Sequence, residues 1–376
     1  MIEPNSFSGK EIRPLTSVRF LIALLVFLFH FQIRWPITQL HPLDNILSQG
    51  AIGMTLFFML SGFILAYTYE GKALSIREYG IRRFSRIYPV YFLAALLTLP
   101  FLGFNVFSSW KNGIADQAAL ATFTFVMNLL LLQAWFPTLF SVWNDGGSWS
   151  ISVEAFFYVL FPAIRKFLSE SALIAKVTFL CSYLIMVIIG FAVSLFSKTS
   201  MLIAYSVPIY RLGEFISGVA IFETIKRFDN FQLRRISRKL LVFLLPALIA
   251  ELSFLGPHLA GYIGHDWIVL PVFAALLINL YSDDSVVTKA LSSRFLVLLG
   301  RASYSFYAIQ AFFILYLLKE RVNLVSSHPI LANNLLLCLV TFVLLQVSAL
   351  GIYLYFEKPV RVRIQKRFVR PLPSAS

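Results

Sequence analysis

The chain alternates long apolar segments with short polar stretches that are rich in lysine and arginine. About eleven apolar segments can be marked, near 16–35, 50–69, 87–106, 118–137, 149–167, 172–196, 201–224, 240–256, 266–282, 294–318 and 330–356. Most reach the length of about 20 residues that an α-helix needs to cross a bilayer. Backbone polar groups in lipid must bond to one another, which a helix achieves within one segment. The pattern predicts an all-α, polytopic membrane helix bundle.

Composition excludes a soluble enzyme. The 376 residues are 59% hydrophobic and 13% charged, against roughly 25% charged in soluble domains. A soluble domain of this length cannot bury so much apolar surface. The apolar core runs from about 12 to 362, so we expect one integral membrane domain over 1–376 without an appended soluble domain.

The formal net charge of +14 predicts an orientation, because most cations flank the apolar segments. The positive-inside rule places such cations in the cytoplasm. Both termini are therefore expected on the cytoplasmic side, in a bacterial inner membrane. A nucleic acid partner is not expected from this charge pattern.

The same rule indicates that one apolar segment does not cross the membrane. Arg83 and Arg165 share a side only if an even number of crossings separates them, but three apolar segments lie between them. We expect 118–137 to be re-entrant or interfacial, since it contains Asn128 and Gln133. About ten transmembrane helices remain.

Charged groups within or beside membrane helices are functional candidates, because they are expensive to bury in lipid. Arg19 and His30 lie eleven residues apart on one helical face, about 16 Å along the axis, so they can contact two ends of one long ligand. Arg83 and Arg86 share a face and suit phosphate recognition. The structural alternatives are orientation anchors for the arginines and an interfacial position for His30.

Polar residues are densest around Glu154. Ser150, Glu154 and Tyr158 are spaced four apart and form one polar stripe on a helix. An acid inside the membrane needs a partner or a chemical role. A buried structural role for Glu154 remains an alternative, and Trp149 suits either the membrane interface or stacking against a sugar.

Two further clusters favour structural interpretations. Arg211 and Glu214 are three residues apart and can pair with each other. His265 and Asp266 are expected in a solvated loop and show no recognisable metal-ligand spacing, so no metal is expected. Tyrosine hydroxyls such as that of Tyr304 usually combine packing with one hydrogen bond.

Taken in order, these motifs resemble membrane acyltransferase family 3, which comprises O-acyltransferases of polysaccharides, lipopolysaccharide and related acceptors. The resemblance rests on Arg19 with His30, Phe57 through Phe63, Arg83 with Arg86, Trp149 through Tyr158, Ser303 with Tyr304 and Tyr307, and Glu357 with Pro359. One position departs from the family pattern, because Gln310 stands where a histidine often occurs.

The resemblance implies transfer of an acyl group, most often acetyl, from acyl-CoA to a hydroxyl of a carbohydrate or glycolipid acceptor. It implies that Arg19, Arg83 and Arg86 bind the donor, that His30 is the general base, and that Glu154 orients His30 or binds the acceptor. The positions expected to bind substrate or stabilise the oxyanion are Trp149, Ser150, Ser152, Tyr158, Tyr304, Tyr307 and Gln310.

Two other classes of function fit the pattern less well. A transporter or flippase of a polar or lipid-linked substrate would also have many apolar helices with interior charge. A non-catalytic partner in a glycan-assembly complex would not need Arg19, His30 and Glu154 together. Membrane lipids are expected partners in every case, and association with a second copy or with glycan-assembly proteins stays open.

Overall fold

The computed structural model describes residues 11–72, 74–102, 114–140, 147–195, 198–256, 258–259 and 262–369. These residues form helices and no strands, which confirms the all-α prediction. The α-helices are α1 Arg13–Gln32, α2 His41–Ser48, α3 Gly53–Tyr69, α4 Ile76–Thr98, α5 Ile114–Leu129, α6 Trp149–Ser169, α7 Ala172–Ser194, α8 Lys198–Ser206, α9 Pro208–Ile225, α10 Asn230–Phe254, α11 Asp266–Ser282, α12 Val286–Leu291, α13 Arg294–Ser327, α14 Asn334–Ile352 and α15 Lys358–Phe368.

Side-chain caps define where several helices begin. Ser75 accepts a hydrogen bond from the backbone N–H of Glu78 at the start of α4. Ser293 caps α13 in the same way, and Asn333 caps α14. These side chains satisfy N–H groups that the first helical turn leaves without an intrahelical partner.

Seven helical segments within the described residues are long and apolar enough to cross a membrane. Three more helices have at least 18 residues but carry more polar groups, namely α6, α9 and α10. The prediction of about ten transmembrane helices therefore stays a prediction, with seven candidates among the described residues. By contrast, α5 has 16 residues, about 24 Å, which is shorter than the hydrocarbon core of about 30 Å. The chain then turns at Leu131, whose φ is 58°.

The basic loops lie together at one end of the bundle, which we call the inner end. Arg165 donates to the backbone carbonyls of Tyr69 and Lys72, and Lys226 lies 3.9 Å from the Glu70 carboxylate. These contacts join the segment at the end of α3 to the C-terminal ends of α6 and α9, whose cations the positive-inside rule assigns to the same side. The opposite end, where α1 ends and α6 begins, is called the outer end.

Three glycines let two helix pairs approach closely. A Cβ at Gly62 would lie 2.2 Å from the carbonyl oxygen of Phe215, and one at Gly218 would lie 1.9 Å from that of Met59. These two glycines therefore set the close crossing of α3 and α9. Gly300 has the same effect between α13 and α1, where Thr16 is the neighbour.

Candidate active site

A cavity of about 330 Å³ lies between α1, α3, α4, α6 and α13. Its wall on α3 extends from Tyr69 to Met54, about 22 Å along the helix axis. Lys72 lines the inner part of the cavity, and Ser150 and Tyr307 line the outer part. The cavity therefore reaches from the basic inner end across most of the thickness of the bundle.

Cations surround the inner part of the cavity. The lining includes Arg19, Lys72, Arg82, Arg83 and Arg86. Burial and the nearby charges of Arg82 and Arg165 lower the pKa of the Lys72 amine, which lies outside the membrane-spanning helices. Cations crowded in this way repel one another, so this part of the cavity favours a ligand with several negative charges.

Arg83 is held by an aromatic cage. Its guanidinium lies 6.0, 5.9 and 5.6 Å from the ring centroids of Tyr69, Tyr79 and Tyr158. The rings orient the cation by cation–π attraction. Its buried Nε has no hydrogen-bond partner among the described residues, so a donor is available for an oxyanion in the cavity.

Glu154 lies midway along the cavity rather than beside His30. Its Oε1 accepts a hydrogen bond from the Ser61 hydroxyl at 3.2 Å and another from the Tyr158 hydroxyl. Arg19 is within electrostatic range of both Glu154 and Arg86. The carboxylate thus has two hydrogen-bond donors and lies near a cation within a largely apolar protein.

The outer end of the cavity is closed by a hydrogen bond between two helices. The hydroxyl oxygens of Ser150 and Tyr307 are 2.6 Å apart, on α6 and α13. The Tyr307 ring also packs against Phe57, with centroids 6.0 Å apart. Tyr304, one turn closer to the inner end, donates to the carbonyl oxygen of Ile87 on α4.

His30 lies about one helical turn beyond this closed end. Gly53, next to the cavity residue Met54, packs on Ile22 and Val26 of α1, whereas Gly50 packs on Phe29. The described residues that line the cavity do not include His30. Its ring instead lies beside Phe29 and the Arg34 guanidinium.

Three other predicted site residues also lie outside the cavity lining. Trp149 is buried among aromatic rings, and the nearest is Tyr205 at 4.6 Å. The Ser152 hydroxyl donates to the carbonyl of Leu131 at 2.6 Å and so fastens the turn after α5. Gln310 is buried, and neither of its amide atoms has a hydrogen-bond partner among the described residues. Their assignment to substrate stays a prediction.

A second polar group, the sealed cluster, consists of Thr55, Arg211, Glu214 and Asp266. Arg211 Nη2 lies 2.9 Å from Glu214 Oε1, which confirms the predicted pair. Thr55 donates to the same oxygen at 2.7 Å. All four side chains are buried, so this cluster holds α3, α9 and α11 together.

The expectation of a solvated loop at His265 and Asp266 is wrong. Both are fully buried. His265 Nδ1 lies 2.6 Å from the Glu251 carboxylate, and Asp266 begins α11 within the sealed cluster. The polarity of these residues suggested solvent, but partners from other helices provide their contacts.

Several cavity residues could not be selected from the sequence. Ser61 looked like a small packing residue, and its distance of 93 positions from Glu154 concealed the hydrogen bond. Tyr69, Tyr79 and Gln365 also line the cavity. Tyrosine near the ends of membrane helices is common at the lipid interface, so their residue type did not distinguish them.

Comparison with known proteins agrees with the motifs. A family described as "Acyltransferase domain" matches residues 15–353. The chain is 33% identical over 153 residues to acyltransferase MdmB of Streptomyces mycarofaciens, covering 39% of this chain and 38% of that protein. It is 24% identical over 171 residues to peptidoglycan O-acetyltransferase OatA of Listeria monocytogenes, covering 43% of this chain and 25% of that protein.

A third relative, an uncharacterized protein of Haemophilus influenzae, is 26% identical over 255 residues, which cover 62% of this chain and all of that protein. No solved structure matches the chain. The family match extends from α1 to the start of the π-helical turn Tyr353–Glu357. It includes α1, α3, α4, α6 and α13, which line the cavity, whereas the lining residue Gln365 on α15 lies beyond it. The chain therefore belongs to the family of proteins that contain this acyltransferase domain, and it is an integral membrane member with an all-α fold.

Proposed function

We propose that this protein transfers an acyl group, most often acetyl, from cytoplasmic acyl-CoA to a hydroxyl of a carbohydrate or glycolipid acceptor at the outer face of the membrane. The feature that supports this most directly is the cavity. It has cations at the inner end, a carboxylate midway and hydroxyl groups at the outer end. A long donor with phosphates at one end and a thioester at the other matches this order of groups.

The inner residues fit the phosphates of coenzyme A. Arg19, Arg83 and Arg86 present guanidinium groups, which bind phosphate oxygens through two parallel hydrogen bonds. The unpartnered Nε of Arg83 supports this assignment. The pantetheine arm would then extend along α3 towards Ser150 and Tyr307, within the roughly 22 Å that the wall of α3 provides.

The transfer step needs a base and groups that stabilise negative charge. The acceptor oxygen attacks the thioester carbonyl carbon, a C–O bond forms, and the C–S bond breaks. His30 takes the hydroxyl proton, and this proton is then returned to the departing thiolate, which leaves as free coenzyme A. Ser150 and Tyr307, whose hydroxyls bond to each other at the closed end, would donate hydrogen bonds to the oxyanion once that bond opens.

Glu154 does not orient His30 in this proposal, because its hydrogen bonds are with Ser61 and Tyr158. We assign it to the donor half of the reaction, where its charge attracts the nearby Arg19 guanidinium. His30 and Glu154 then act on opposite sides of the closed outer end.

The first test is the ester-linked acyl content of the host's surface glycans, measured by proton NMR. Three strains are compared: one with the intact gene, one without it, and one with His30→Ala. We expect an acyl signal with the intact gene alone. The variant protein must be present in membranes in the same amount as the wild type.

Identical spectra in the three strains would contradict acylation of surface glycans. Uptake of a glycan precursor into vesicles without added acyl-CoA would instead favour a transporter. Full acylation by His30→Ala would leave the acyl transfer in place but remove His30 from it.

A further inference from the structure

The closed outer end of the cavity has a polar side and an apolar side. The polar side is the pair of hydroxyls of Ser150 and Tyr307, whose oxygens are 2.6 Å apart. The apolar side consists of Met54 and Phe57, in the first turns of α3, and Ile151, the third residue of α6. A thioester has the same two kinds of surface, because its carbonyl oxygen accepts hydrogen bonds and its acyl chain does not.

The apolar side is backed by packed side chains. Met54 and Ile151 are each 3% exposed. Behind them, the Phe58 ring makes edge contacts with Trp149 and Phe157, with centroids 6.0 and 5.3 Å apart. Protein interiors are close-packed, so each methylene added at this end must displace groups that already have neighbours.

Ile151 is the stiffest of the three apolar residues. A β-branched side chain in a helix has one strongly preferred rotamer, so Ile151 cannot turn away from a ligand without strain. Met54 is unbranched and adapts its shape to its surroundings. The Phe57 side chain is half-buried and has room to shift. The room available at the closed end therefore depends most on Ile151.

We infer that the closed end is the subsite for the acyl group and that Ile151 limits the length of the acyl chain which the protein accepts. This inference rests on the proposed function, in which the cavity binds acyl-CoA. The acyl carbonyl then faces the hydroxyls of Ser150 and Tyr307, and the end of the acyl chain faces Ile151.

The two ends of the cavity together measure the donor. The cations Arg19, Arg83 and Arg86 line the inner part and would hold the phosphates there. A donor with a longer acyl chain could fit only by sliding inward. Its phosphates would then move away from these guanidinium groups, and its thioester would move towards Glu154, about 4.5 Å along α6 from Ile151. Longer chains are therefore disfavoured at both ends.

The test measures binding and needs no acceptor. The full-length protein in lipid nanodiscs is loaded with radiolabelled coenzyme A, which is displaced with unlabelled acetyl-CoA, propionyl-CoA or butyryl-CoA. One methylene in an apolar pocket changes discrimination about 10–200-fold. We expect about tenfold weaker binding for each added methylene, at the low end of this range because Met54 adapts.

A variant with more room should gain affinity for the longer donors. Ile151→Val removes one methyl group and should improve the binding of propionyl-CoA relative to acetyl-CoA about fivefold or more, while the affinity for coenzyme A itself stays unchanged. Ile151→Ala removes more of the side chain and should extend this gain to butyryl-CoA. Partial unfolding lowers affinity, so it cannot produce a gain for one donor.

Ile64→Val is the matched control. It is the same substitution at another isoleucine of the cavity, on the part of α3 nearer the inner end. This position would lie beside the pantetheine arm, which all three donors share. The variant should therefore keep the wild-type ratio of affinities for the three donors, even if all three affinities change together.

The outcomes separate the inference from the proposed function. Equal affinity of the wild type for the three donors would overturn the inference and leave donor binding in place. The same ratios in Ile151→Val and Ile64→Val would also overturn it, because Ile151 would then not limit the chain. If radiolabelled coenzyme A does not bind at all, the proposed function fails together with the inference.

Discussion

The cavity and the sealed cluster use the same kinds of residue for different purposes. Both place arginine, carboxylate and hydroxyl groups on membrane helices. The cavity is lined by Arg19, Arg82, Arg83 and Arg86 and by the carboxylates of Glu78 and Glu154, and space remains for a ligand. In the sealed cluster, one arginine meets two carboxylates, and every side chain is buried.

The difference teaches how to separate function from structure in a polar membrane protein. The arginine of the sealed cluster has its countercharge within the same helix, three residues away. The cations that line the cavity outnumber the two carboxylates of its lining, Glu78 and Glu154, so the lining favours an anionic ligand. Excess charge of one sign beside open space therefore distinguishes a binding site from a structural ion pair.

The largest expected effect is the loss of stability when a substitution breaks the sealed cluster. Arg211→Leu leaves Glu214 as an unpaired buried charge and should cost about 3–5 kcal/mol of stability. We expect little monodisperse protein after detergent extraction, measured by size-exclusion chromatography. Replacing both Arg211 and Glu214 by Leu should recover part of the loss, because no lone charge then remains. A single variant as stable as the wild type would show that the pair is not structural.

The next largest effect is expected at Glu154, where a substitution should lower activity without lowering stability. Glu154→Gln should lower kcat/KM for acyl transfer at least 100-fold, about 2.7 kcal/mol, while the thermal unfolding temperature changes little. Ser61→Ala is the matched variant, because it removes one hydrogen bond to that carboxylate. A hydrogen bond contributes about 1 kcal/mol, so we expect kcat/KM to fall roughly fivefold. Activity of Glu154→Gln within tenfold of the wild type would exclude an essential role.

A smaller effect is expected for donor binding. Arg83→Gln should raise KM for acyl-CoA about tenfold or more, since a hydrogen bond to a charged group contributes about 1.5–3 kcal/mol. Arg227→Gln is the control, because Arg227 is an exposed cation on the inner side that does not line the cavity. Equal KM values for acyl-CoA in the two variants would show that Arg83 does not bind the phosphates of coenzyme A.

The smallest expected effect concerns the ion pair between Arg238 and Asp283 at the inner end. Burial raises the pKa of Asp283, but hydrogen bonds from Ser285, Arg238 and Thr288 outweigh it and lower that pKa to about 2. The pair therefore stabilises the fold above about pH 4 and loses this contribution as the pH falls towards 2. Because Arg238 is half exposed, we expect no more than about 1 kcal/mol.

Asp283→Asn should show a smaller drop in unfolding temperature between pH 6 and pH 3 than the wild type, measured by differential scanning fluorimetry in detergent. The same acid sensitivity in both proteins would assign the effect to other carboxylates.

Several parts of the site could be read from the sequence because they are local. The pairing of Arg211 with Glu214 depends on helical spacing alone, and the structure contains this ion pair. Tyr158 bonds to Glu154 one turn earlier for the same reason. The roles of the donor-binding and catalytic residues stay predictions.

The sequence by itself determined the all-α membrane fold, its long helices and the collection of basic loops at one end, because hydrophobic length and flanking charge act locally along the chain. Only the tertiary structure decided which polar residues meet. Ser150 and Tyr307 are 157 positions apart, and Asp266 lies 211 positions from Thr55. Helical periodicity specifies which face a residue occupies, but the neighbour of that face depends on how all the helices pack together.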